Sequence, residues 1–375
     1  MEHFGAKQNF CFKTILMKNL CVDRILDINL PDDKFWYILQ QDGTLAGCIG
    51  SREYSKICET GQMMFKKDFL YIYAGEGEKQ AAAEIFTDNS KIRKLPVLDR
   101  NGKLLYEYVR SVEAYYEDLD IPCGINAEKE RTEKVVVSLT SFGCRINTVH
   151  IAIKSIMNQS LKADSIVLYI AKEDSDRVIQ QEKELVKAGL RIVRNVEDLK
   201  PHKKYFYAMQ EYPQNTIVTV DDDVIYDEGL LEDLYKRHLT YPKAVICRRG
   251  HRMVKKDGRI APYDLWEGCV ESLTPEKGIC ATGVGGILYP CGEYREKFLD
   301  KRGIMETSLC GDDLWLKTVE LMEGIEVFAI GEVPARVIEG TQKNALYMEN
   351  ADNKRNDEYL SRLQIYFNID LVDLF

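Results

Sequence analysis

Apolar and polar positions alternate in blocks along residues 132–220. Four apolar runs have the length and composition of strands that are buried on both faces of a parallel sheet. They occupy residues 135–140, 165–170, 190–193 and 216–220. Amphipathic stretches at 147–158, 177–188 and 203–211 lie between these runs and predict helices. This strand–helix order predicts right-handed crossovers and an α/β fold, with the sheet between two layers of helices.

Residues 1–115 instead repeat a unit of helix, strand, turn and returning strand, which predicts an internal repeat. Strands are predicted at 35–39 and 45–49 in the first copy, and at 95–99 and 104–108 in the second. The predicted helices are 51–58 and 79–86, and residues 69–73 form a further apolar run.

The second copy, residues 92–104, contains a Pro-Val strand, an acidic turn and a glycine. In this it resembles the cystathionine-β-synthase-type (CBS) module, and the resemblance implies a tandem module of α+β fold over residues 1–115. Such modules often bind adenine nucleotides through a Thr or Ser followed by an Asp. The corresponding stretches, 47–53 and 106–111, lack that pair. A structural or dimerising module is therefore favoured over a nucleotide sensor.

Composition divides the rest of the chain into three parts. Residues 116–131 are polar and acidic, with Pro122 and Gly124, which predicts a linker. The predicted α/β domain spans residues 132–340. Residues 341–375 form a C-terminal extension with an apolar-rich helix predicted over 359–375. That helix would cover the sheet or contact a second subunit or a membrane.

The composition is that of a globular protein. The chain has 375 residues, 45% of them hydrophobic and 30% charged, which is enough for two or three domains. A net charge of −9 argues against a nucleic-acid partner, because such proteins usually carry a basic patch. Eleven cysteines without a Cys-x-x-Cys pair indicate reduced thiols. The sequence begins without a signal-peptide pattern and has no apolar run of membrane-spanning length, so we expect a cytoplasmic protein. Peripheral membrane contact and a homodimer stay open.

Three consecutive carboxylates, Asp221, Asp222 and Asp223, follow the fourth predicted strand. The carboxyl ends of strands in open α/β sheets are where ligands bind. Because adjacent like charges repel, these side chains need a partner, and a hard divalent cation prefers oxygen ligands. The alternative is a solvated acidic turn that caps a helix over 227–238.

Several motifs occur in one order between residues 138 and 317. They are Ser138-Leu139-Thr140-Ser141, residues 152–159, Thr219-Val220-Asp221-Asp222-Asp223-Val224-Ile225-Tyr226, Thr282-Gly283-Val284-Gly285-Gly286 and Gly311-Asp312-Asp313-Leu314-Trp315-Leu316-Lys317. Together they resemble family-2-like glycosyltransferases of the GT-A fold. The resemblance implies transfer of a sugar from a nucleotide-sugar donor to a glycan or lipid-linked acceptor, in cell-surface polysaccharide biosynthesis.

The same resemblance implies a metal site and a set of donor-binding residues. Asp223 would bind Mn²⁺ or Mg²⁺ directly, and Asp221 would contact the donor ribose or reach the metal through water. Donor binding is assigned to Thr140, Ser141, Arg145, Lys204, Asp221, Asp222 and Gly285. Side chains alternate in extended backbone, so Asp222 is expected to point away from Asp221 and Asp223.

Asp312 and Asp313 open a predicted amphipathic helix. Acids at a helix N-terminus suit the macrodipole, which is the simpler explanation. The resemblance implies that Asp313 is the general base for the acceptor hydroxyl, with Asp312 as its helper, in an inverting displacement. A nucleotidyltransferase and a non-catalytic sugar- or nucleotide-binding protein remain alternatives. Residues 137–143 contain too little glycine for the activating loop of a nucleotidyltransferase.

Structural explanations compete for the other candidates. On these explanations Arg145 is a surface charge near the start of a helix, and Lys204 is a solvated residue at the start of the next but one helix. Residues 282–286 would be a tight bend. Trp266 would stack on an acceptor sugar or belong to the core. His251 is expected to be a partly buried histidine with satisfied hydrogen bonds.

Overall fold

The computed structural model describes most of the chain from residue 94 onward and separate stretches before it. The described residues are 14–16, 24–27, 36–39, 45–49, 62–64, 72–74, 82, 85, 94–109, 111–127, 131, 133–292, 294–331, 336–341 and 355–375. They belong to two compact units, residues 1–120 and 121–375. All the site candidates from the sequence lie in the second unit.

The first unit contains short strands that pair mainly in antiparallel fashion. The strands are β1 (Thr14–Leu16), β2 (Arg24–Asp27), β3 (Trp36–Leu39), β4 (Leu45–Ile49), β5 (Gln62–Met64), β6 (Ile72–Tyr73), β7 (Lys94–Leu98) and β8 (Leu104–Val109). β1 pairs with β5, while β2–β3–β4 and β6–β7–β8 form two three-stranded sheets. Both predicted hairpins are confirmed, since β3 pairs antiparallel with β4 and β7 with β8.

The predicted helix 51–58 lies outside the described residues, and of the predicted helix 79–86 only residues 82 and 85 are described, both helical. The resemblance to a CBS module therefore stays a prediction. Helix α1 (Val112–Asp118) begins after Ser111, whose Oγ accepts the N–H of Ala114 at 3.0 Å. Tyr116 and Leu119 are buried. Residues 116–118 thus belong to a packed helix and not to a linker, because the large side chain of Tyr116 is buried.

The second unit is an α/β structure. Its strands are β9 (Val135–Ser141), β10 (Ser165–Ala171), β11 (Leu190–Val196), β12 (Thr216–Thr219), β13 (Val224–Ile225), β14 (Val245–Cys247), β15 (Gly250–Arg252), β16 (Lys255–Lys256), β17 (Arg259–Ile260), β18 (Ile279–Ala281), β19 (Ile287–Tyr289), β20 (Val327–Ala329) and β21 (Arg336–Val337). Its helices are α2 (Val149–Met157), α3 (Glu182–Lys187), α4 (Lys203–Glu211), α5 (Leu230–Thr240), α6 (Arg295–Phe298), α7 (Lys301–Thr307), α8 (Asp312–Met322) and α9 (Arg355–Phe367). The predicted alternation of strands and helices is confirmed, although α2 and α3 are shorter than predicted.

Seven strands form the central sheet in the order β11-β10-β9-β12-β19-β14-β20. β9 is parallel to β10 and β12, and β10 is parallel to β11, as the strand–helix order predicted. β19 is antiparallel to both of its neighbours, β12 and β14. The chain reaches β19 through a short turn from β18, which pairs with β15 outside this sheet.

A hydrophobic core covers each face of this sheet. Val135 and Val137 of β9 point into one core, with Ile153 of α2. Val136 points into the other core, with Tyr205 of α4. Successive side chains of a strand point to opposite faces, so a strand with two covered faces needs an unbroken apolar run.

The strand order places a switch point between β9 and β12. From β9 the chain moves outward to β10 and β11, and then returns to the other side of β9 as β12. Ligands of open α/β sheets bind outside the carboxyl ends of the strands at such a point. Ser141 ends β9 and Asp221 closely follows β12. The acidic triplet therefore lies where a ligand crevice is expected.

Helix α9 packs within the second unit. Leu363 is fully buried, and the ring of Phe367 lies 5.5 Å from the ring of Trp315 in α8. The hydroxyl of Tyr366 donates to Asp300 Oδ2 at 2.8 Å, just before α7. The helix ends at Phe367 and not at residue 375 as predicted, because the chain turns into a 3-10 segment, Leu371–Leu374. Among the helices of the described residues, none combines the length and apolarity needed to cross a membrane.

Candidate active site

The three aspartates after β12 form a turn. β12 ends at Thr219, and Asp222 and Asp223 lie in turn conformation. The Asp221 N–H donates to the hydroxyl oxygen of Tyr226 at 2.8 Å, which links the two ends of the turn. The expectation that Asp222 points away from both neighbours is wrong, because it assumed extended backbone. Asp222 and Asp223 instead face the same cation.

That cation is Arg145. Its Nη1 lies 3.0 Å from Asp222 Oδ1, and its Nη2 lies 2.9 Å from Asp223 Oδ2. Ser141 Oγ donates to Asp222 Oδ2 at 2.5 Å. The Arg145 side chain is 11% exposed, so the explanation of this residue as a surface charge is wrong. The segment after β9 is thereby tied to the acidic turn after β12, across the switch point.

Lys204, in the first turn of α4, links the triplet to the second acid pair. Its Nζ lies 2.8 Å from Asp221 Oδ1 and 3.1 Å from Asp312 Oδ2. Lys204 is buried, so it is not a solvated residue at a helix start. Burial alone would lower the pKa of Lys204, but Asp221, Asp312 and Asp313 raise it well above its usual value. Lys204 therefore carries a permanent positive charge between two distant sequence motifs.

Asp312 and Asp313 open helix α8, as predicted. Asp312 is buried against Lys204, whereas Asp313 is partly exposed. Asp313 Oδ1 accepts the N–H of Gly283 at 3.2 Å, in the turn between β18 and β19. A Cβ at Gly283 would lie 2.7 Å from Lys204 Nζ and 3.3 Å from Asp221 Oδ1. A side chain at this position would have to displace the Lys204 ammonium group from its place between the carboxylates.

The surroundings of the two acids move their pKa values in opposite directions. Burial would raise the pKa of Asp312, but the charge of Lys204 lowers it below its usual value. Burial and the negative charge of Asp312 raise the pKa of Asp313 well above its usual value. One carboxylate held ionised beside another of raised pKa is an arrangement used for general acid–base chemistry.

His202 supports the segment that precedes this acid pair. Its Nε2 lies 2.9 Å from the carbonyl oxygen of Ser308, and its Nδ1 lies 2.7 Å from the hydroxyl of Tyr205. Burial lowers the pKa of His202 to about 4, so the ring is neutral near pH 7. Since a carbonyl only accepts, Nε2–H donates to Ser308 and Nδ1 accepts the Tyr205 hydroxyl. No sequence motif indicates this role, apart from the adjacent lysines.

Thr140 and Gly285 have structural contacts. Thr140 Oγ1 donates to the carbonyl oxygen of Tyr169 at 2.8 Å, which ties β9 to β10. A Cβ at Gly285 would lie 2.8 Å from the backbone nitrogen of Arg249, so glycine allows these backbones to pack. The donor-binding role assigned to both residues stays a prediction. Arg249, the second of two consecutive arginines, was not among the candidates from the sequence.

The aromatic loop after β17 is divided between core and surface. Trp266 is buried, and its Nε1–H donates to the carbonyl oxygen of Ala261 at 2.9 Å, which favours the core explanation. The Tyr263 ring lies 4.7 Å from the Trp266 ring and is partly exposed. His251 is partly buried and its Nδ1 accepts the N–H of Cys269 at 3.1 Å, as expected.

The carboxylates at the switch point are candidate ligands for a divalent cation. Within the described ranges, no three His, Cys, Asp or Glu side chains form a group that could hold a metal ion. Mg²⁺ in nucleotide sites usually takes one or two carboxylates and completes its shell with substrate phosphates and water. Asp221 keeps 26% of its side chain exposed at the switch point. The residues therefore fit an ion shared with a phosphate ligand.

Comparison with known proteins gives the class of the second unit. Residues 136–278 match the model of Glycosyl transferase family 2. The matched segment contains Arg145, Lys204 and the acidic triplet, and it ends before Gly283 and Asp313. The protein is a glycosyltransferase, and its mainly parallel sheet agrees with an α/β fold of the GT-A type. No curated protein is similar enough to this chain to count as a relative.

Among the solved structures that resemble part of the chain are the following three. A mannosyltransferase from Pyrobaculum calidifontis, solved with GDP-Man and Mn²⁺, is 13% identical over 68% of this chain and 69% of its own, with a TM-score of 0.42. A 4-diphosphocytidyl-2C-methyl-D-erythritol synthase from Anaerococcus prevotii is 16% identical over 59% and 96%, with a TM-score of 0.37. TarS from S. aureus, solved with UDP, is 17% identical over 52% and 58%, with a TM-score of 0.34.

Proposed function

We propose that this glycosyltransferase moves a sugar from a nucleotide-sugar donor to a glycan or lipid-linked acceptor by an inverting displacement. The observation that carries the proposal is the position of Lys204, which joins Asp221 at the switch point to Asp312 at the start of α8. Transfer needs charge neutralisation at the leaving diphosphate and a base at the acceptor hydroxyl. This crevice supplies groups for both. The cellular setting that we propose is cytoplasmic assembly of cell-surface polysaccharide.

On the donor side, Asp223 and Asp221 would hold a Mn²⁺ or Mg²⁺ ion together with the donor diphosphate. Such an ion acts as a Lewis acid that neutralises the charge of the leaving group. Ser141 holds the Asp222 carboxylate, and Asp222 in turn pairs with Arg145. Groups held in place before the substrate arrives need little reorganisation during the reaction, which favours the transition state.

On the acceptor side, Asp313 is the general base. The acceptor oxygen attacks the anomeric carbon from the face opposite the diphosphate, and its proton passes to the Asp313 carboxylate. The new carbon–oxygen bond forms as the bond to the phosphate oxygen breaks, and that electron pair leaves with the nucleoside diphosphate. Lys204 keeps Asp312 ionised, and this charge adds to burial in raising the pKa of Asp313. A raised pKa makes the carboxylate a stronger base near neutral pH.

Asp223→Ala is expected to abolish Mn²⁺-dependent donor binding, because it removes the proposed direct ligand. The measurement is a thermal-unfolding screen of nucleotide sugars, with and without Mn²⁺. At a ligand concentration of about 100 Kd, binding stabilises by about 2.7 kcal/mol. For a domain of this size that raises Tm by about 5–10 °C. The wild-type protein should show such a shift with one class of donor and the variant should show none.

Asp176→Ala is the matched control, since Asp176 is an exposed aspartate outside the site. An Asp223→Ala protein that keeps the Mn²⁺-dependent shift would contradict the metal assignment. A wild-type shift with free adenine nucleotides alone, independent of metal and of Asp223, would indicate the first unit as the nucleotide site. Donor binding without sugar transfer to any acceptor would favour the non-catalytic alternative.

A further inference from the structure

Arg249 is a cation without an acidic partner in the described part of the chain. Its neighbour Arg248 is buried and pairs with Asp227 and with Asp233, whose Oδ2 lies 2.7 Å from Arg248 Nη2. Arg249 is half-buried, and its Nη1 donates only to a neutral hydroxyl, Thr282 Oγ1, at 3.0 Å. A guanidinium offers five N–H donors in a planar fork that matches carboxylate and phosphate groups.

Arg249 and the proposed base Asp313 contact the same turn, the one between β18 and β19. The N–H of Thr282 donates to the Arg249 carbonyl oxygen at 3.0 Å. The next residue, Gly283, donates its N–H to Asp313 Oδ1. Two consecutive residues of the β18–β19 turn thus contact the unpaired cation and the general base. An anionic group bound by Arg249 would lie close to the hydroxyl that loses its proton.

Tyr263 forms the second wall of this region. Its ring lies 6.0 Å from the ring of His251, which pairs with Cys280 across the β15–β18 ladder. Burial, then the charges of Cys280 and Asp313, raise the pKa of Tyr263, and Arg249 opposes them. The Tyr263 ring thus packs against His251, which lies two residues after Arg249 and opposite the strand that leads into Thr282. A partly exposed aromatic ring beside a cation suits a sugar ring that carries a negative charge.

The cations of the donor side are already engaged. Arg145 contacts Asp222 and Asp223, and Lys204 contacts Asp221 and Asp312. Two cations thus face four carboxylates around the switch point before any ligand binds, so neither cation has charge left for a further anion. Arg249 contacts Thr282 and takes no part in these ion pairs. Its charge is thus available to the second substrate.

We propose that Arg249, Thr282 and Tyr263 form an acceptor subsite for a saccharide that carries a phosphate or carboxylate group. This rests on the proposed transferase function and adds the charge of the acceptor to it. Arg249 binds the anionic group, Tyr263 contacts the sugar ring, and the hydroxyl to be glycosylated faces Asp313.

Helix α9 holds this subsite in position. Asp357 Oδ1 accepts the backbone N–H of Tyr263 at 2.8 Å, so the helix fixes the aromatic loop. Tyr359 packs on Gly311, where a Cβ would lie 2.6 Å from the Tyr359 ring. Gly311 directly precedes Asp312 and Asp313. One helix therefore contacts both the subsite loop and the turn that carries the base, and Asp357 is a positioning residue.

Arg249→Met tests the subsite. The probes are p-nitrophenyl β-D-glucuronide and glucose 6-phosphate, with p-nitrophenyl β-D-glucoside as the neutral match and UDP, GDP, CDP and dTDP for the donor side. Loss of charged hydrogen bonds is expected to weaken binding of an anionic saccharide by about 10- to 100-fold, measured by calorimetry. Nucleoside diphosphate and glucoside affinities should change less than about twofold. Arg302→Met, on the exposed face of α7, is the matched control and should change nothing.

Other outcomes overturn the subsite. If Arg249→Met weakens nucleoside diphosphate binding, the anion that it recognises is the donor diphosphate and not an acceptor group. If wild-type protein binds neither anionic saccharide, or binds glucuronide and glucoside equally, the subsite does not exist as proposed. A wild-type protein that binds no nucleoside diphosphate would count against the proposed function itself, which separates the two failures.

Asp357 supplies a second test with a conservative rescue. Asp357→Ala removes the acceptor for the Tyr263 N–H and is expected to weaken binding of the anionic saccharide without changing nucleoside diphosphate binding. Asp357→Asn keeps a carbonyl oxygen at this position and should restore most of the affinity. Equal saccharide binding by the alanine variant and the wild type would overturn the positioning role of α9.

Discussion

Asp313→Asn is expected to lower the rate of sugar transfer by about 10²- to 10⁴-fold, the range associated with loss of a general base. Asparagine has the shape of aspartate and can still accept the Gly283 N–H, but it cannot take a proton from the acceptor. Donor binding should therefore be unchanged. The measurement is single-turnover transfer by the wild type and the variant, with calorimetry of the donor as the check on folding and binding.

The pH dependence of transfer provides an independent readout. Burial and the charge of Asp312 raise the pKa of Asp313. Its base form therefore accumulates at a higher pH than that of an ordinary aspartate. We expect the wild-type rate to increase with pH through the titration of Asp313, and the residual rate of Asp313→Asn to lack that rise. Near-normal turnover by the variant would assign the base to another residue. Asp176→Asn, an exposed change, should keep both the rate and its pH dependence.

Lys204→Met is expected to destabilise the second unit by about 3–5 kcal/mol, the usual cost of removing one partner from a buried ion pair. Methionine fills similar space, but it leaves Asp221 and Asp312 without the cation that lies between them. The measurement is urea unfolding at neutral pH, followed by the fluorescence of Trp266 and Trp315.

Lys200→Met is the matched control for this change. Lys200 is 49% exposed and pairs with Asp198 at the surface, so its loss should cost less than about 1 kcal/mol. A Lys204→Met protein as stable as this control would mean that the buried carboxylates do not depend on the ammonium group. The central position assigned to Lys204 would then be wrong.

The sequence predicted the fold of the second unit well and its acid clusters in part. Strands such as β9 and β10 are buried on both faces, so their sequences are mostly apolar and are easy to recognise. The antiparallel β19 was not predicted, because the direction of a short strand depends on its turn and on partners distant in the chain. The C-terminal helix was predicted, but its end at Phe367 depends on a local 3-10 turn.

The candidate site shows why side-chain partners are harder to predict than side-chain chemistry. The acidic triplet and the Asp312–Asp313 pair were recognised from their motifs. Their partners, Arg145 and Lys204, were assigned to a nucleotide, because a sequence does not show which charges meet across a sheet. Gly283 was visible only as one glycine among several, and its importance follows from a contact with Lys204.

The single ammonium group of Lys204 links the affinities of the two substrates. Because it contacts Asp221 and Asp312 together, a ligand that draws Lys204 toward Asp221 weakens its hold on Asp312. Such a coupling between two sites is reciprocal: whatever factor donor binding applies to acceptor affinity, acceptor binding applies to donor affinity. The two substrates would then bind with mutual cooperativity through one side chain, without any movement of the sheet.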